Sequence, residues 1–599
     1  MFTVCGWIAG ILLLATGGVF LYLLISKYTH RRLLTPLYCL FIGCFAAVFV
    51  LMLPVIDLSD MSASMGAWLR GGARLILALH NTLQVFTIDV GAQDLLAAIQ
   101  AQLPGFSIYF LMMSVLMIVC PVLTLSFILS LVKNLSAYIR LCCSFGKDWY
   151  VFSELNEKSI ALAQDIRKNH SKAAVVFTDV FGGEEEASYE LIEKAKEISA
   201  ICFKRDIVTI NFRPHSKNAQ TILFTIGENE TENVDQALKL IEMYKARVNV
   251  RIFVFSTRVD SEILLTKAEK GNVKVRRVNE VRSLVNRQLY HSGNKLFENA
   301  KEIGGGQKKI SAVILGLGQH GTEMLKALTW YCQMDGYQIE IDAFDLDALA
   351  QDRFAALAPE LMSEDYNGVI VPEEAEYTIR IHAGVDVNTK SFADCLSGLR
   401  DTTYTFISLG SDEANIRTAV NMRMLFERMK IHPTIQAIVC NPDAKAALTG
   451  ITNYRGQAYD IDFIGDTADS YSEDVILNSA LEADALRRHL KWGEEKEFWQ
   501  YEYNYNSSVA SAIHARARIA QGIPGAEKKE EDLTDTEKTT IQKLEHRRWN
   551  AYMRAEGYVY SGSPDKKSRN DLAKMHHDLV DFSSLSEEEK RKDTRVGNV

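Results

Sequence analysis

Three glycines with the spacing G-x-G-x-x-G carry the clearest chemical signal in this sequence. They are Gly316, Gly318 and Gly321, and they directly follow the apolar run Ser311–Leu315. The first glycine permits a tight turn, the second lets the backbone approach a pyrophosphate, and the third lets a helix pack closely on a strand. A helix that begins here offers backbone N–H groups and the positive end of its dipole to phosphate. The pattern therefore predicts a nucleotide-phosphate site at a strand–turn–helix junction.

An acidic residue after the next strand completes this pattern. Asp345 follows the predicted strand Ile339–Phe344, slightly further along the chain than the ~20 residues usual in dinucleotide-binding folds. A carboxylate at this position hydrogen-bonds a ribose 2′-hydroxyl group. Asp345 therefore favours NAD, ADP-ribose or ATP-like ligands over NADP. The alternative interpretation is that Asp345 is only a turn residue at the end of a strand.

These residues require a parallel sheet to position them. Short apolar runs alternate with helical patterns between residues 310 and 490, which is typical of a doubly wound α/β domain. The predicted strands are Ser311–Leu315, Ile339–Phe344, Tyr377–His382, Tyr404–Ser408, Ile435–Cys440 and Tyr459–Ile464.

A further motif, Ser-Leu-Gly-Ser-Asp-Glu-Ala-Asn at residues 408–415, follows the fourth predicted strand. Together with the glycines and Asp345, it resembles the TrkA-N (RCK) domains that gate potassium channels and transporters. The resemblance implies a Rossmann fold that binds NAD(H), ADP-ribose or another adenine nucleotide. It also implies that Asp412 and Asn415 lie beside the ligand. The C-terminal lobe usual in that family is not evident here.

Residues 148–300 repeat this organisation without its glycines. The run Glu230-Thr-Glu-Asn233 follows a strand, as the run beginning at Asp412 does, which favours two tandem Rossmann-like domains. Chance similarity between two unrelated sheets is the alternative. Ser153, Leu155 and Lys158 stand where the glycines should be, so we expect a structural or dimerising domain, or one with a different ligand. The predicted strands are Trp149–Ser153, Ala173–Thr178, Ile207–Asn211, Thr221–Ile226, Val248–Phe255 and Val273–Val278, and the glycine-rich run 300–309 is predicted to be a linker.

The C-terminal region, residues 495–599, contains a basic and aromatic helix closed by Gly557. With the later run Lys574-Met-His-His-Asp, it resembles the small helical repeat domain of ryanodine receptors (the RyR domain), which also occurs in bacterial proteins. The resemblance implies a docking or nucleotide-reading module. On this helix the aromatic residues lie along one face and the basic residues along another. One helix cannot turn both faces to a ligand, so we expect Trp549 to face inward and the basic residues outward. The predicted ligand-binding residues are His546, Arg547, Arg548, Trp549, Arg554 and Tyr558.

The first 147 residues contain three long runs without charge, which predict a membrane domain. Gly6–Ser26 (6–26), Leu37–Ile56 (37–56) and Ser107–Val132 (107–132) are each long enough to cross a ~30 Å hydrocarbon core as a helix. Basic residues lie in the connection between the first two runs and follow the third run, whereas the connection between the second and third runs is richer in aspartate. The positive-inside rule then predicts an external N-terminus and cytoplasmic C-terminal domains in a multi-pass protein of the bacterial inner membrane.

Composition narrows the function. A net charge of −9 argues against general nucleic-acid binding. The ten cysteines form no CxxC pair and no cluster with zinc spacing, so no metal is predicted. No G-x-S-x-G, Walker A or HExxH motif points to an enzyme.

The predicted fold class is membrane α with three transmembrane helices, two doubly wound Rossmann-like domains and a small all-α C-terminal domain. The predicted function is a membrane-embedded nucleotide sensor or effector, active as a homo-oligomeric ligand-gated channel or pore that contacts the lipid bilayer. The architecture resembles membrane effectors of bacterial nucleotide-signalled antiviral defence. A non-conducting regulatory subunit of an ion transporter and a membrane-bound NAD-linked oxidoreductase remain as alternatives.

Overall fold

The structure, a computed structural model, separates into two compact units. The smaller unit comprises Met1–Gly146 and Val176–Phe212, and the larger comprises Lys147–Val175 and Arg213–Val599. The predicted connection between the first two spans and most of the loop 57–106 lie outside the described residues. The described residues are 2–25, 34–56, 66–87, 96–97, 99–101, 108–144, 147–180, 185–212, 218–363, 377–451 and 453–597.

In the described N-terminal part of the smaller unit, the helices with defined bounds are α1 (Phe2–Ile25), α2 (Leu34–Met52), α3 (Ala67–Phe86) and α4 (Ile108–Cys142). Helices α1 and α2 pack closely, because a Cβ atom on Gly43 would lie 2.2 Å from Thr16 Oγ1. Among the described residues, two helical segments are long and apolar enough to cross a membrane, Phe2–Tyr22 and Ile108–Leu125. The apolar stretch of α2, Tyr38–Met52, is shorter, so the third span stays a prediction.

Strands and helices alternate after Lys147, and the described strands of this first α/β region pair in parallel. In the smaller unit β2 pairs with β3, and in the larger unit β1, β4, β5 and β6 lie side by side in that order. The predicted strand at Ile207–Asn211 is wrong: Ile207–Thr209 forms a 3-10 turn capped by Asp206, and the strand lies earlier, at β3. The elements are β1 (Trp149–Phe152), α5 (Glu157–Asn169), β2 (Ala174–Phe177), α6 (Glu185–Glu197), β3 (Ile201–Cys202), β4 (Thr221–Thr225), α7 (Glu230–Tyr244), β5 (Val250–Phe255), α8 (Val259–Lys267), β6 (Lys274–Val278), α9 (Glu280–Ser292) and α10 (Asn294–Glu298).

The glycine-rich run at 300–309 is a β-hairpin rather than a linker. Strands β7 (Lys301–Gly304) and β8 (Gln307–Leu315) pair antiparallel, and Gly304, Gly305 and Gly306 all have positive φ angles at the turn. Such angles suit glycine because it has no Cβ atom to clash with the backbone. The second sheet therefore begins at Lys301, within the segment predicted to be a linker.

In the described part of the chain the second sheet has seven strands, and all six predicted between Ser311 and Ile464 are confirmed. Its order is β10-β9-β8-β11-β12-β15, and β7 lies beside β8. The order reverses between β8 and β11, and in parallel sheets such a reversal opens a crevice at the carboxyl ends of the strands. The elements are α11 (Gln319–Tyr331), β9 (Tyr337–Asp345), α12 (Ala350–Leu357), β10 (Tyr377–Ala383), α13 (Lys390–Ser397), β11 (Tyr404–Ile407), α14 (Asp412–Met429), β12 (Thr434–Ile438), α15 (Pro442–Leu448), β13 (Asn453–Tyr454), β14 (Gln457–Ala458) and β15 (Ile461–Ile464).

The C-terminal helices pack onto this second sheet and share its hydrophobic core. Trp330 on α11 meets Tyr552 edge-on at 6.2 Å between ring centroids, and the His514 ring lies 2.7 Å from the Gln333 carbonyl oxygen. The C-terminal region is therefore joined to the glycine-loop helix through buried contacts. Its elements are α16 (Thr467–Ser470), α17 (Glu473–Ile476), α18 (Ser479–His489), α19 (Glu495–Gln500), α20 (Glu502–Ala520), α21 (Asp535–Ala555), β16 (Val559–Tyr560), β17 (Met575–His576) and α22 (Glu587–Gly597).

Candidate functional site

Two of the three fingerprint glycines are required by packing inside the protein. Gly316 has φ +88°, and a Cβ atom there would lie 2.3 Å from the Ser408 carbonyl oxygen. A Cβ atom on Gly321 would lie 1.8 Å from the Gly316 carbonyl oxygen. Both distances are far below van der Waals contact, so these glycines hold the loop against β11 and the start of α11 against the loop.

Gly318 is different, because a Cβ atom there would meet nothing within 4 Å. It is the residue immediately before α11, at the point where the first-turn N–H groups have no partner within the helix. A glycine with open space in front of it, at a helix N-terminus, leaves room for an anionic ligand to approach the backbone. This is the geometry that the G-x-G-x-x-G spacing predicts.

The open space is a cavity of about 600 Å³ at the carboxyl end of the second sheet. It lies where β8, β9, β10, β11 and β12 end, on both sides of the reversal in strand order. A volume of this size lies within the range of ~300–1,000 Å³ usual for small-molecule sites. The lining residues are Gly316, Gly318, Gln319, His320, Phe344, Asp345, Leu346, Val385, Asp386, Val387, Asn388, Ser408, Leu409, Gly410, Ser411, Asp412, Ala414, Asn415, Ile438 and Cys440.

Asp345 is the last residue of β9, as predicted, and its carboxylate is held by the backbone. One oxygen accepts the Leu317 N–H at 2.6 Å, and the other accepts the Asp347 N–H at 2.7 Å. These bonds tie the glycine loop to the end of β9 and fix the carboxylate at the cavity wall. Each carboxylate oxygen has a second lone pair, which leaves acceptor capacity for a ribose hydroxyl.

Asp412 and Asn415 also line the cavity, but their side chains are engaged with neighbouring backbone. Asp412 accepts the N–H groups of Cys440 and Asn441 at 2.9 and 2.8 Å. Asn415 accepts the Leu409 N–H at 2.6 Å and donates to the Ile438 carbonyl at 2.8 Å. The two residues therefore position the loops after β11 and β12. Direct ligand contact by them stays a prediction.

The first α/β region uses the same device. Asn233 accepts the Gly227 N–H at 2.7 Å and donates to the Phe255 carbonyl at 2.9 Å, and Glu230 accepts the Thr257 N–H at 3.0 Å. This agreement supports the predicted repeat, and it shows that the Asp/Glu and Asn pair works without the glycine fingerprint. The Glu154 carboxylate lies against Gly227 there, 2.7 Å from where a Cβ atom would be.

The cavity wall is acidic. Asp345, Asp386 and Asp412 line it, and no lysine or arginine is among its lining residues in the described part of the chain. Burial lowers the pKa of the His320 imidazole, although the nearby Glu280 opposes this, so His320 is neutral at pH 7. Backbone N–H groups and the α11 dipole are therefore what this wall offers to phosphate.

The C-terminal residues predicted to bind ligand are arranged differently from the expectation. The basic residues point inward: Arg548 is 1% exposed and Arg554 is 2% exposed, and His546 and Arg547 are also buried. Trp549, predicted to point inward, is only partly buried. The expected division between an inward aromatic stripe and an outward basic stripe is therefore wrong.

A buried acid explains why these arginines are inside. Glu545 accepts hydrogen bonds from Arg548 at 2.6 Å, Arg518 at 3.0 Å and the Ser511 hydroxyl at 3.1 Å. Burial alone would raise the pKa of Glu545, but the two guanidinium groups outweigh it and hold that pKa at about 2. This network joins α20 to α21.

The remaining predicted ligand residues also have internal roles. Arg554 donates to Asn550 Oδ1 at 2.8 Å and lies 3.3 Å from Glu360. The His546 ring lies 2.7 Å from the Val580 carbonyl oxygen, and Tyr558 is 6% exposed. Their proposed contact with a ligand stays a prediction, and the contacts observed are those of a helical core.

Sequence reasoning missed the cavity residues Leu346, Val385, Asp386, Asn388 and Cys440. Each stands at or just after the carboxyl end of a strand that was correctly predicted. These residues could have been found by their place in the chain rather than by a motif. The carboxyl ends of parallel strands meet at one edge of a sheet, so residues that follow predicted strands are expected to lie there. No protein-family model matches this chain, and no curated protein matches it.

Proposed function

We propose that this protein is a membrane-embedded nucleotide sensor whose second α/β region, a Rossmann-like domain, binds the ligand in the glycine-loop cavity. The observation that carries the proposal is Gly318, which stands at the start of α11 with open space before it. The held carboxylate of Asp345 supports a ligand with a free ribose 2′-hydroxyl group.

The acidic wall supports NAD(H) or ADP-ribose over more highly charged nucleotides. A bridging diphosphate carries fewer negative charges than a triphosphate, and three aspartates line the cavity. Like charges in a partly enclosed site repel strongly because water screens them less. We therefore assign the ligand to the adenine nucleotides with a bridging diphosphate, NAD(H) and ADP-ribose, of which ADP-ribose is the smaller.

We expect NAD and ADP-ribose to raise the melting temperature of the purified protein, and NADP and ATP to do so much less. NADP should bind at least roughly tenfold more weakly, since about 1.4 kcal/mol of repulsion between Asp345 and a 2′-phosphate is enough for that factor. Calorimetric titration of the four nucleotides gives the measurement. Equal affinity for NAD and NADP would contradict the role given to Asp345.

The long helix α4 supports transmission of this signal to the membrane. Its 35 residues span about 52 Å, well beyond the ~30 Å of a hydrocarbon core, so the helix continues outside the bilayer. Within the smaller unit, its end packs on the region around β3. Tyr138 meets Phe203 edge-on at 5.0 Å and accepts a hydrogen bond from Arg205, and Arg140 donates to the Ser199 carbonyl.

We propose that an oligomer of such chains forms a ligand-gated channel or pore. In this proposal a movement of the region around β3 turns or shifts α4. One chain has too few spans to enclose a pore. The same junction would also serve a regulatory subunit that passes the movement to another transporter. Conductance of the protein alone separates these two functions.

We expect the purified protein in planar bilayers to conduct only when NAD or ADP-ribose is present on the α/β side. Tyr138→Ala should lower ligand-dependent current severalfold while leaving nucleotide affinity unchanged, because it removes the ring packing and the hydrogen bond at the α4 junction. Tyr189→Ala is the matched control, since Tyr189 is 70% exposed on α6. No current with any nucleotide would reject the channel and leave the regulatory subunit.

A further inference from the structure

A second cluster of chemically capable side chains lies in the C-terminal region, and it shares no residue with the glycine-loop cavity. His576, His577 and Asp578 each offer one ligand atom, and the three atoms lie within 4.8 Å of one another. The two histidines are 5% and 6% exposed. Their rings stack at 4.7 Å between centroids, so both project to the same side of the chain.

His577 has an unusual environment for a buried imidazole. Neither ring nitrogen makes a hydrogen bond with any described residue, although Nε2 lies 3.3 Å from Asp578 Oδ2. A buried polar side chain normally has a hydrogen-bond partner, and leaving one without a partner destabilises the fold. A ligand that accepts the imidazole lone pair would remove this cost.

The ring of His576 is held with the lone pair of one nitrogen directed at residue 578. Its Nδ1 accepts the Asp578 N–H at 3.1 Å, which places that lone pair beside residue 578. The ring is fixed by Trp549, which packs edge-on at 4.9 Å. Binding of a cation at Nδ1 would replace one hydrogen bond from the backbone and would require no change in the ring's protonation.

Asp578 supplies the third ligand atom, and its side chain is 20% exposed. Its Oδ2 lies 3.3 Å from Nε2 of His577, so the carboxylate is placed to share a cation with that ring. Glu589 is held by Lys592 at 2.7 Å and Lys566 at 3.0 Å.

We propose that His576, His577 and Asp578 form a binding site for a divalent transition-metal cation of the zinc type. Two imidazoles and one carboxylate are borderline N/O donors, and three protein ligands leave one tetrahedral position for water. Zinc–ligand bonds of ~2.0–2.2 Å require the ligand atoms to be roughly 3.4 Å apart, so side-chain rotation must bring the furthest pair together by up to about 1.4 Å. Strand β16 follows α21 and pairs with β17, which ends at His576. A metal bound at His576 would therefore stabilise the segment that follows α21.

The test uses full-length protein that has been treated with a chelator and dialysed. We expect the intense visible d–d absorption of a tetrahedral Co²⁺ site to saturate at one equivalent of Co²⁺. Zn²⁺ should displace the Co²⁺ and remove this absorption. His577→Gln and Asp578→Asn should each weaken Zn²⁺ binding by at least roughly tenfold in calorimetry, since each removes one of three protein ligands.

His291→Gln is the matched control, because that histidine side chain is 44% exposed and pairs with Asp474 on α17. It should bind Zn²⁺ as the unchanged protein does. If His577→Gln does not fold, the nearly isosteric Asp578→Asn decides the question. Absence of stoichiometric Zn²⁺ binding in the unchanged protein, or Zn²⁺ binding by both cluster variants as tight as by the unchanged protein, would overturn the proposal.

Discussion

Replacing Gly318 with tryptophan should abolish nucleotide binding without unfolding the protein. A side chain at this position enters open space in the unliganded cavity, so the fold has room for it. The indole would then occupy the volume through which a diphosphate reaches the N–H groups of α11. Hydrogen bonds to charged groups contribute about 1.5–3 kcal/mol each, so loss of two of them weakens binding by roughly 100-fold or more.

The measurement is calorimetric titration of NAD and ADP-ribose, together with melting of the unliganded variant. Gly318→Ala should give an intermediate loss, since a methyl group blocks less of the approach. Glu531→Trp places the same indole in an exposed segment far along the chain and should leave the affinity unchanged. Full affinity in Gly318→Trp would remove the glycine loop from the ligand site and, with it, the central support for the proposed function.

The local features of this site were predictable from sequence. A strand, a turn and a helix N-terminus are set by residues close together in the chain, so Gly316, Gly318 and Gly321 were sufficient to place them. Asp345 was predictable because parallel strands end at one edge, and an acidic residue after β9 must lie there. The Asp386 and Cys440 positions follow from the same rule, once the strands themselves are known.

Long-range contacts were not predictable in this way. The helix α21 has basic residues on several faces, and a helical-wheel argument assigns them to solvent. Their burial depends on Glu545, on Arg518 from α20 and on Glu360 near α12, which are contacts between separate elements. The hairpin at residues 301–309 was missed for a related reason, because three glycines indicate a tight turn as readily as a linker.

The acid–Asn pairs that position the backbone occur in both α/β regions, whereas the glycine loop proposed to bind the ligand belongs to the second. Glu230 with Asn233 and Asp412 with Asn415 make corresponding backbone hydrogen bonds in the two regions. Among the described residues the second region combines them with a glycine loop, whereas in the first the Glu154 carboxylate lies against Gly227, beside the loop that Asn233 holds. A carboxylate there would repel phosphate. The first region therefore keeps the framework of such a site, while the second has the open loop needed to bind a nucleotide.

Removing Glu545 should destabilise the C-terminal region more than any ligand-site substitution. Glu545, Arg518 and Arg548 are each about 1% exposed, so Glu545→Ala leaves two guanidinium groups buried without their shared carboxylate. Breaking a buried ion pair by removing one partner costs about 3–5 kcal/mol. For a domain of ~150–250 residues this lowers the melting temperature by roughly 6–20 °C, and because the larger unit exceeds that size we expect a fall of about 6 °C. Melting of the full-length protein in detergent, followed by circular dichroism, measures the effect.

The same network predicts an acid dependence with a defined sign. The pKa of Glu545 in the folded protein is about 2, below the ~4.3 of an unperturbed glutamate. Its stabilising contribution is therefore complete above about pH 4.3 and is lost as pH falls toward 2, because the unfolded chain binds the proton first. Glu545→Gln should lose this dependence while keeping the side-chain volume.

The matched control for the melting of Glu545→Ala is Glu531→Ala, which changes an exposed acid and should shift melting by about 1 °C or less. If Glu545→Ala melts within about 2 °C of the unchanged protein, the arginines of α21 are not held by this acid, and a ligand-facing role for Arg548 becomes the better interpretation.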